Sequence, residues 1–317
     1  LVTLEAGFEN DYGVVDHVNG KLYVLTNWKA SNQQLMEVDP AKPARENWKT
    51  ILPETENVLE GVSILGGKIV AEYLQDAANH VYTYDFTGKQ LAEVALPAIG
   101  TVGGFSGDKD DNEAFYTFTS FTFPPTIYRY DVAQNKSEVF RKTEVNFNPE
   151  DYVSEQQFYT SKDGTKVPMF ITYKKGIKKD GKNPLMLYGY GGFNISLNPS
   201  FSVARIPFLE QGGIYVVANI RGGGEYGEKW HKAGTKMQKQ NVFDDFIGAA
   251  EYLIAQKYTS PEKLAINGGS NGGLLIGACM TQRPELFAVA IPEVGVLDML
   301  RYQKFTIGWA WATDYGT

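Results

Sequence analysis

Through the first ~145 residues, short apolar–polar alternations are broken by Gly, Asn and Asp turns, the signature of half-buried strands joined by hairpins. One motif returns at a fixed interval. A strand ends in Met36-Glu37-Val38-Asp39, another in Tyr82-Thr83-Tyr84-Asp85 and a third in Tyr128-Arg129-Tyr130-Asp131, so 46 residues separate each aspartate from the next. Partner strands are predicted before them at Lys21–Leu25, Lys68–Tyr73 and Glu113–Phe118. A four-stranded unit of this length matches a β-propeller blade; an irregular β-sandwich with coincidental spacing is the other reading. About three blades cannot close a ring, which takes about 4–8. Residues 1–144 are therefore read as the C-terminal blades of a propeller whose earlier blades lie outside this sequence.

From about Tyr152 the pattern changes. Strand-like runs at Val167–Tyr173, Pro184–Tyr188, Gly213–Ile220, Leu264–Asn267 and Ala288–Pro292 alternate with helical ones. Phe243, Phe246, Ile247, Ala250, Leu253 and Ile254 fall on one helical stripe, with Asn241 placed to cap it and Asp244 near its positive end. Such alternation predicts a doubly wound, mostly parallel sheet. The boundary falls near residue 145, beside Asn146-Phe147-Asn148-Pro149, which makes 145–317 an α/β domain.

Composition narrows the classes. The 317 residues carry a net charge of −7 with both signs interspersed. This argues against nucleic acid or an anionic membrane as partner, since both select clustered Lys and Arg. The longest apolar runs, such as Ile214–Ile220, fall far short of the ~20 residues that span a bilayer. Cys279 is the single cysteine, which fits a reducing compartment and a cytoplasmic location, with the periplasm open if a signal peptide precedes residue 1. The chain does not begin with Met. No Cys or His cluster has metal-ligand spacing, and no cofactor is expected.

The chemistry concentrates at Gly268-Gly269-Ser270-Asn271-Gly272, a G-x-S-x-G between an apolar strand and an apolar helix. A sharp strand-to-helix turn would expose the Ser270 hydroxyl, and the helix start behind it would offer N–H groups to a developing oxyanion. A second glycine-rich turn, Tyr188-Gly189-Tyr190-Gly191-Gly192-Phe193, follows an earlier strand; Tyr190 is read either as a second oxyanion donor or as a tyrosine packed beside a tight turn. Gly222, Gly224 and Gly227 imitate a dinucleotide fingerprint, with Asp244 beyond them. Because no helix is predicted until about Val242, they are read as a surface loop.

A nucleophilic serine needs a base, and in this architecture the base follows it in the chain. His17, His80 and His231 all precede Ser270, and none follows. His17 and His80 are read as turn or surface residues, and His231 as a loop histidine with a local hydrogen bond. The catalytic set is incomplete, and residues are expected beyond both ends.

Along essentially its whole length the sequence resembles the prolyl oligopeptidases. The resemblance is carried by Tyr188–Phe193, Ala218-Asn219-Ile220-Arg221 through Gly227, Asn267–Gly273 and Trp311–Gly316. It implies an α/β-hydrolase domain preceded by part of a β-propeller, and cleavage of short peptides after proline. It implies that Ser270 is the nucleophile and that the Tyr190 hydroxyl and Asn271 N–H form the oxyanion hole. Trp311 would stack on the substrate proline, with Phe193, Val296 and Tyr315 as other walls of the pocket. The partner implied is a proline-containing oligopeptide, together with the remainder of the same polypeptide, which would hold the acid and base. A dipeptidyl or acylaminoacyl peptidase, an esterase, and a non-catalytic interaction module are the competing readings.

Overall fold

A computed structural model describes residues 3–317. Two compact units divide the chain, Leu1–Glu144 and Val145–Thr317. The first holds three four-stranded sheets, each an antiparallel meander with its strands in chain order. They are β1 (Tyr12–Val18), β2 (Lys21–Thr26), β3 (Gln34–Val38) and β4 (Lys49–Leu52); β5 (Val58–Leu65), β6 (Lys68–Gln75), β7 (Ala78–Tyr84) and β8 (Gln90–Glu93); and β9 (Thr101–Gly107), β10 (Glu113–Thr119), β11 (Thr126–Asp131) and β12 (Lys136–Lys142). Sequence-local turns set the register. Asn19 and Gly20, between β1 and β2, both have positive φ (50° and 76°), the backbone of a two-residue hairpin turn that matches strand twist.

The repeat has a physical cause. Each recurring aspartate stands at the end of the third strand of its sheet, where its Oδ1 accepts a backbone N–H from the following turn. Asp39 takes Ala41, Asp85 takes Thr87 and Lys89, and Asp131 takes Gln134, at 2.8–3.1 Å. An aspartate that satisfies turn backbone two or three residues on is a standard way of ending a strand. Neighbouring sheets share cores. Leu65, Val70 and Val81 pack with Phe105, Tyr116 and Tyr130. His17 and His80 lie on β1 and β7 rather than in turns; His17 is exposed at the surface, and the His80 ring approaches Glu93 at 3.4 Å.

The second unit is built on a six-stranded sheet of β13 (Tyr152–Thr160), β14 (Lys166–Lys174), β15 (Leu185–Tyr188), β16 (Ile214–Ala218), β17 (Leu264–Gly269) and β18 (Val289–Glu293), in the spatial order 13-14-16-15-17-18. β13 and β14 join antiparallel and the rest run parallel. Its helices are α1 (Ile206–Glu210), α2 (Gly227–Lys232), α3 (Gln240–Ala255), α4 (Asn271–Gln282) and α5 (Ala312–Tyr315). Val216, Leu187 and Ile266 of three adjacent strands are fully buried with Phe246 and Leu253 of α3 and Leu275 of α4. No helix among the described residues is long and apolar enough to cross a membrane.

Three expectations are corrected. Asn241 does not cap α3: the helix runs directly out of a 3-10 turn at Lys236–Gln238, Lys239 already has helical backbone angles, and Asn241 Nδ2 instead donates to the Ala233 carbonyl at 2.9 Å. A helix does begin before Val242, at Gly227, but its six residues are too few for an apolar period to show. The glycine-rich stretch after β16 is not a surface loop either, since Arg221 to Glu225 are buried. A Cβ on Gly222 would stand 2.5 Å from the Gly191 carbonyl; the loop packs backbone to backbone against the turn that follows β15.

Candidate active site

Strand order brings the two glycine-rich turns together. β15 lies beside β17 in parallel register, with Tyr188 opposite Asn267, so the residues leaving the carboxyl ends of both strands become neighbours. The crevice outside such strand ends is where open α/β sheets bind ligands. Gly189 N donates to the Asn267 carbonyl at 3.3 Å and continues the pairing one residue past the strand.

Ser270 occupies the single residue between β17 and α4, with φ 58° and ψ −116°. A non-glycine residue there stores strain of ~1–3 kcal/mol that the surroundings must hold. They do so from both sides: Ser270 N donates to Glu293 O on β18 at 2.9 Å, and its carbonyl accepts Gly273 N at 2.9 Å. Gly268 and Gly272 are required by space, because a Cβ on either would lie 2.8 or 2.7 Å from the Gly189 carbonyl. The Ser270 side chain remains exposed.

The Tyr190 phenol lies beside Ser270, whose hydroxyl acts to lower its pKa. Burial raises the phenol above its ordinary pKa against that pull, and the charges of Asp314 and Tyr188 add to the rise. The group therefore stays protonated at neutral pH and able to donate. Asn271 opens α4, where the first N–H groups of a helix have no acceptor within it. Its buried amide is held from three directions: Nδ2 donates to Tyr190 O at 2.6 Å, while Oδ1 accepts from Lys239 Nζ at 3.0 Å and from the Tyr315 hydroxyl at 3.0 Å.

An aromatic wall adjoins this set. The Phe193 and Tyr315 rings meet edge-on, 5.4 Å between centroids, and Tyr302 meets Tyr315 in the same way at 5.2 Å. Asp314, buried on α5, accepts the Phe193 N–H at 2.7 Å and a ring nitrogen of His231, Nε2, at 2.8 Å. Burial pushes its carboxyl up, but the His231 hydrogen bond, the Phe193 N–H and the charges of His231 and Lys239 outweigh that and leave it below the ordinary value. His231 thus sits on α2 and reaches across 83 residues, which corrects the expectation of a local bond. Trp311, half-buried, ends the 3-10 turn that leads into α5. Val296, also half-buried, follows Gly295, which packs against Gly273 of α4. Contacts therefore join Tyr190, Asn271, Tyr315 and Phe193, with Ser270 next to Asn271 in the chain, while none of these contacts involves Trp311 or Val296.

Two family profiles match. That of the prolyl oligopeptidase N-terminal β-propeller domain covers residues 1–143, and that of the prolyl oligopeptidase family covers residues 199–317. The chain belongs to the prolyl oligopeptidase family. Its fold is correspondingly that of propeller blades followed by an α/β-hydrolase sheet. It is 54% identical over all of its 317 residues to the prolyl endopeptidase of Elizabethkingia meningoseptica, and 43% identical to that of Dictyostelium discoideum over 96% of the chain. The matched stretches make up 45% and 42% of those proteins, so the chain spans a little under half the length of these curated relatives. A solved prolyl endopeptidase superposes with a TM-score of 0.94 at 51% identity, covering 99% of this chain and 46% of that one. Prolyl oligopeptidase B of Galerina marginata, bound to a 25mer macrocyclization substrate, superposes at 0.93 with 37% identity, covering 99% and 44%.

In this prolyl oligopeptidase chain the sequence reading missed Asp314, Lys239 and the Arg221–Asp245 pair. Arg221 is buried after β16 and donates to Asp245 Oδ1 at 2.6 Å and to Asp163 at 2.5 Å. Asp245 interrupts the buried stripe of α3, and a charge on an otherwise apolar helix face is the signal that could have found it.

Proposed function

We propose that the polypeptide containing this chain is a serine peptidase that cleaves short peptides on the carboxyl side of proline, with Ser270 as the nucleophile. The carrying observation is the strained turn that exposes Ser270 beside the Tyr190 phenol. It puts a protonated donor where a tetrahedral oxyanion would form. Attack by Ser270 Oγ on the prolyl carbonyl would move charge onto that oxygen, and the Tyr190 O–H and Asn271 N–H would receive it. The Phe193–Tyr315 edge pair, with Trp311 and Val296, would form a flat apolar slot for a pyrrolidine ring, which has no N–H to satisfy.

The base and its orienting acid are proposed to come from the remainder of the same polypeptide, and the 317 residues alone to give no turnover. The competing reading, for the stretch taken alone, is that of a binding module. Fluorophosphonate labelling of the full-length polypeptide separates the two. Stoichiometric modification mapped to Ser270 is the peptidase result; an unmodified serine in a folded protein is the binding-module result.

A further inference from the structure

Lys239 stands where local physics disfavours a lysine twice. It precedes the first residue of α3, so its positive charge faces the positive end of a helix dipole. Its ammonium is also drawn out of water, and burial lowers its pKa to about 8 against an opposing pull from Asp314. Positions at which a sequence breaks its own local rules tend to be functional ones.

Three contacts surround the ammonium. Nζ donates to the Gly191 carbonyl at 2.9 Å and to Asn271 Oδ1 at 3.0 Å, and it lies 5.5 Å from the centre of the Tyr315 ring. A lysine ammonium can only donate. It therefore dictates which end of the Asn271 amide faces it, and the other end, Nδ2, is left to donate to Tyr190 O. Two consecutive carbonyls, those of Tyr190 and Gly191, are thus tied to the residue that follows the nucleophile, one through Lys239 and one through the amide that Lys239 orients. Gly192 leaves the necessary room, since a Cβ there would stand 2.5 Å from Asn271 Nδ2. The same turn carries the phenol that reaches Ser270.

We propose that Lys239 is a positioning residue for oxyanion stabilisation: it locks the Tyr190 turn to the Ser270 elbow through Gly191 O and the Asn271 amide. The inference rests on the peptidase reading given above. Its predicted signature is a loss of transition-state binding larger than any loss of substrate binding, because its two hydrogen bonds fix the donor turn and it meets the apolar slot only at Tyr315.

The test is steady-state kinetics of the full-length polypeptide on a blocked Gly-Pro reporter amide, with Lys239→Met, Lys239→Gln and wild type compared. Lys239→Met is expected to lower kcat by roughly 10–100-fold with KM changed by less than about threefold, as misplacement of one donor implies. Lys239→Gln, which keeps an N–H donor, is expected to recover part of the loss. The rate of Ser270 labelling by a fluorophosphonate, whose phosphoryl oxygen gains negative charge as the serine attacks, should fall in parallel. Wild-type kcat in Lys239→Met would overturn the proposal, as would a loss confined to KM. If Lys239→Met does not fold, the Gln variant decides by the same two criteria. A wild-type protein that leaves the reporter intact would sink the peptidase reading itself, and this inference with it, an outcome distinct from an active enzyme indifferent to Lys239.

Discussion

The Asp314 carboxylate accepts the backbone N–H of Phe193 at 2.7 Å across 121 residues of sequence. This bond fixes the turn after β15 to the short helix α5, and so holds the Phe193 ring against the neighbouring Tyr315. His231 completes the arrangement from α2.

Substitution Asp314→Asn removes the charge that Phe193 N–H and His231 share. KM for a Gly-Pro reporter is expected to rise roughly tenfold with a smaller change in kcat, since the apolar walls and not the oxyanion donors are displaced. The pH dependence has a definite sign. Asp314 is held below its ordinary pKa, so its contribution to stability is complete above the unfolded value near ~3.9 and is lost as pH falls through the lowered one. The gap in melting temperature between wild type and Asp314→Asn should hold steady from neutral pH to about 4 and narrow only below that. A gap that closed between pH 7 and about 5 would refute the pairing.

Tyr190→Phe deletes one oxygen beside Ser270 and leaves the turn intact. Loss of a single oxyanion donor typically costs ~10²–10³ in kcat, and KM should stay within about threefold if the phenol acts only in the transition state. Equal kcat in the two proteins would remove Tyr190 from the mechanism.

Glu72 offers a test in the first unit. Buried on β6, its carboxyl is pushed up to about 7 by burial, against backbone hydrogen bonds with Phe105 and Gly104. Between its unfolded value of ~4.3 and about 7 the folded state binds more protons than the unfolded one, so stability falls as pH rises through that window. Glu72→Gln removes the titration. Its melting temperature should match that of wild type at or below about pH 4 and exceed it increasingly toward pH 8. A variant less stable than wild type at pH 8 would show that Glu72 is better accommodated as an anion than its burial implies.

Much of this was legible in the residues, for physical reasons. The propeller repeat could be read because one aspartate performs the same turn-closing task in each sheet. The nucleophile turn could be read because Gly268 and Gly272 are forced by the Gly189 carbonyl. What escaped was long-range. Asp314 and Lys239 are unremarkable in sequence; the adjacency of β15 and β17 brings the partners of Lys239 together, and Asp314 meets Phe193 and His231 only through the tertiary fold. Helix α2 escaped because six residues carry no period. The buried glycines after β16 look like a loop because backbone packed on backbone leaves no hydrophobic pattern to read.

In the proposed function, Ser270 and the aromatic slot together make a prolyl-specific peptidase. The most direct measurement is cleavage of blocked Gly-Pro and Gly-Ala reporter amides by the full-length polypeptide, with Ser270→Ala alongside. Strong preference for the proline reporter is expected, with a loss of at least ~10³-fold in Ser270→Ala. Equal cleavage of the two reporters, or undiminished cleavage of Gly-Pro by Ser270→Ala, would contradict it.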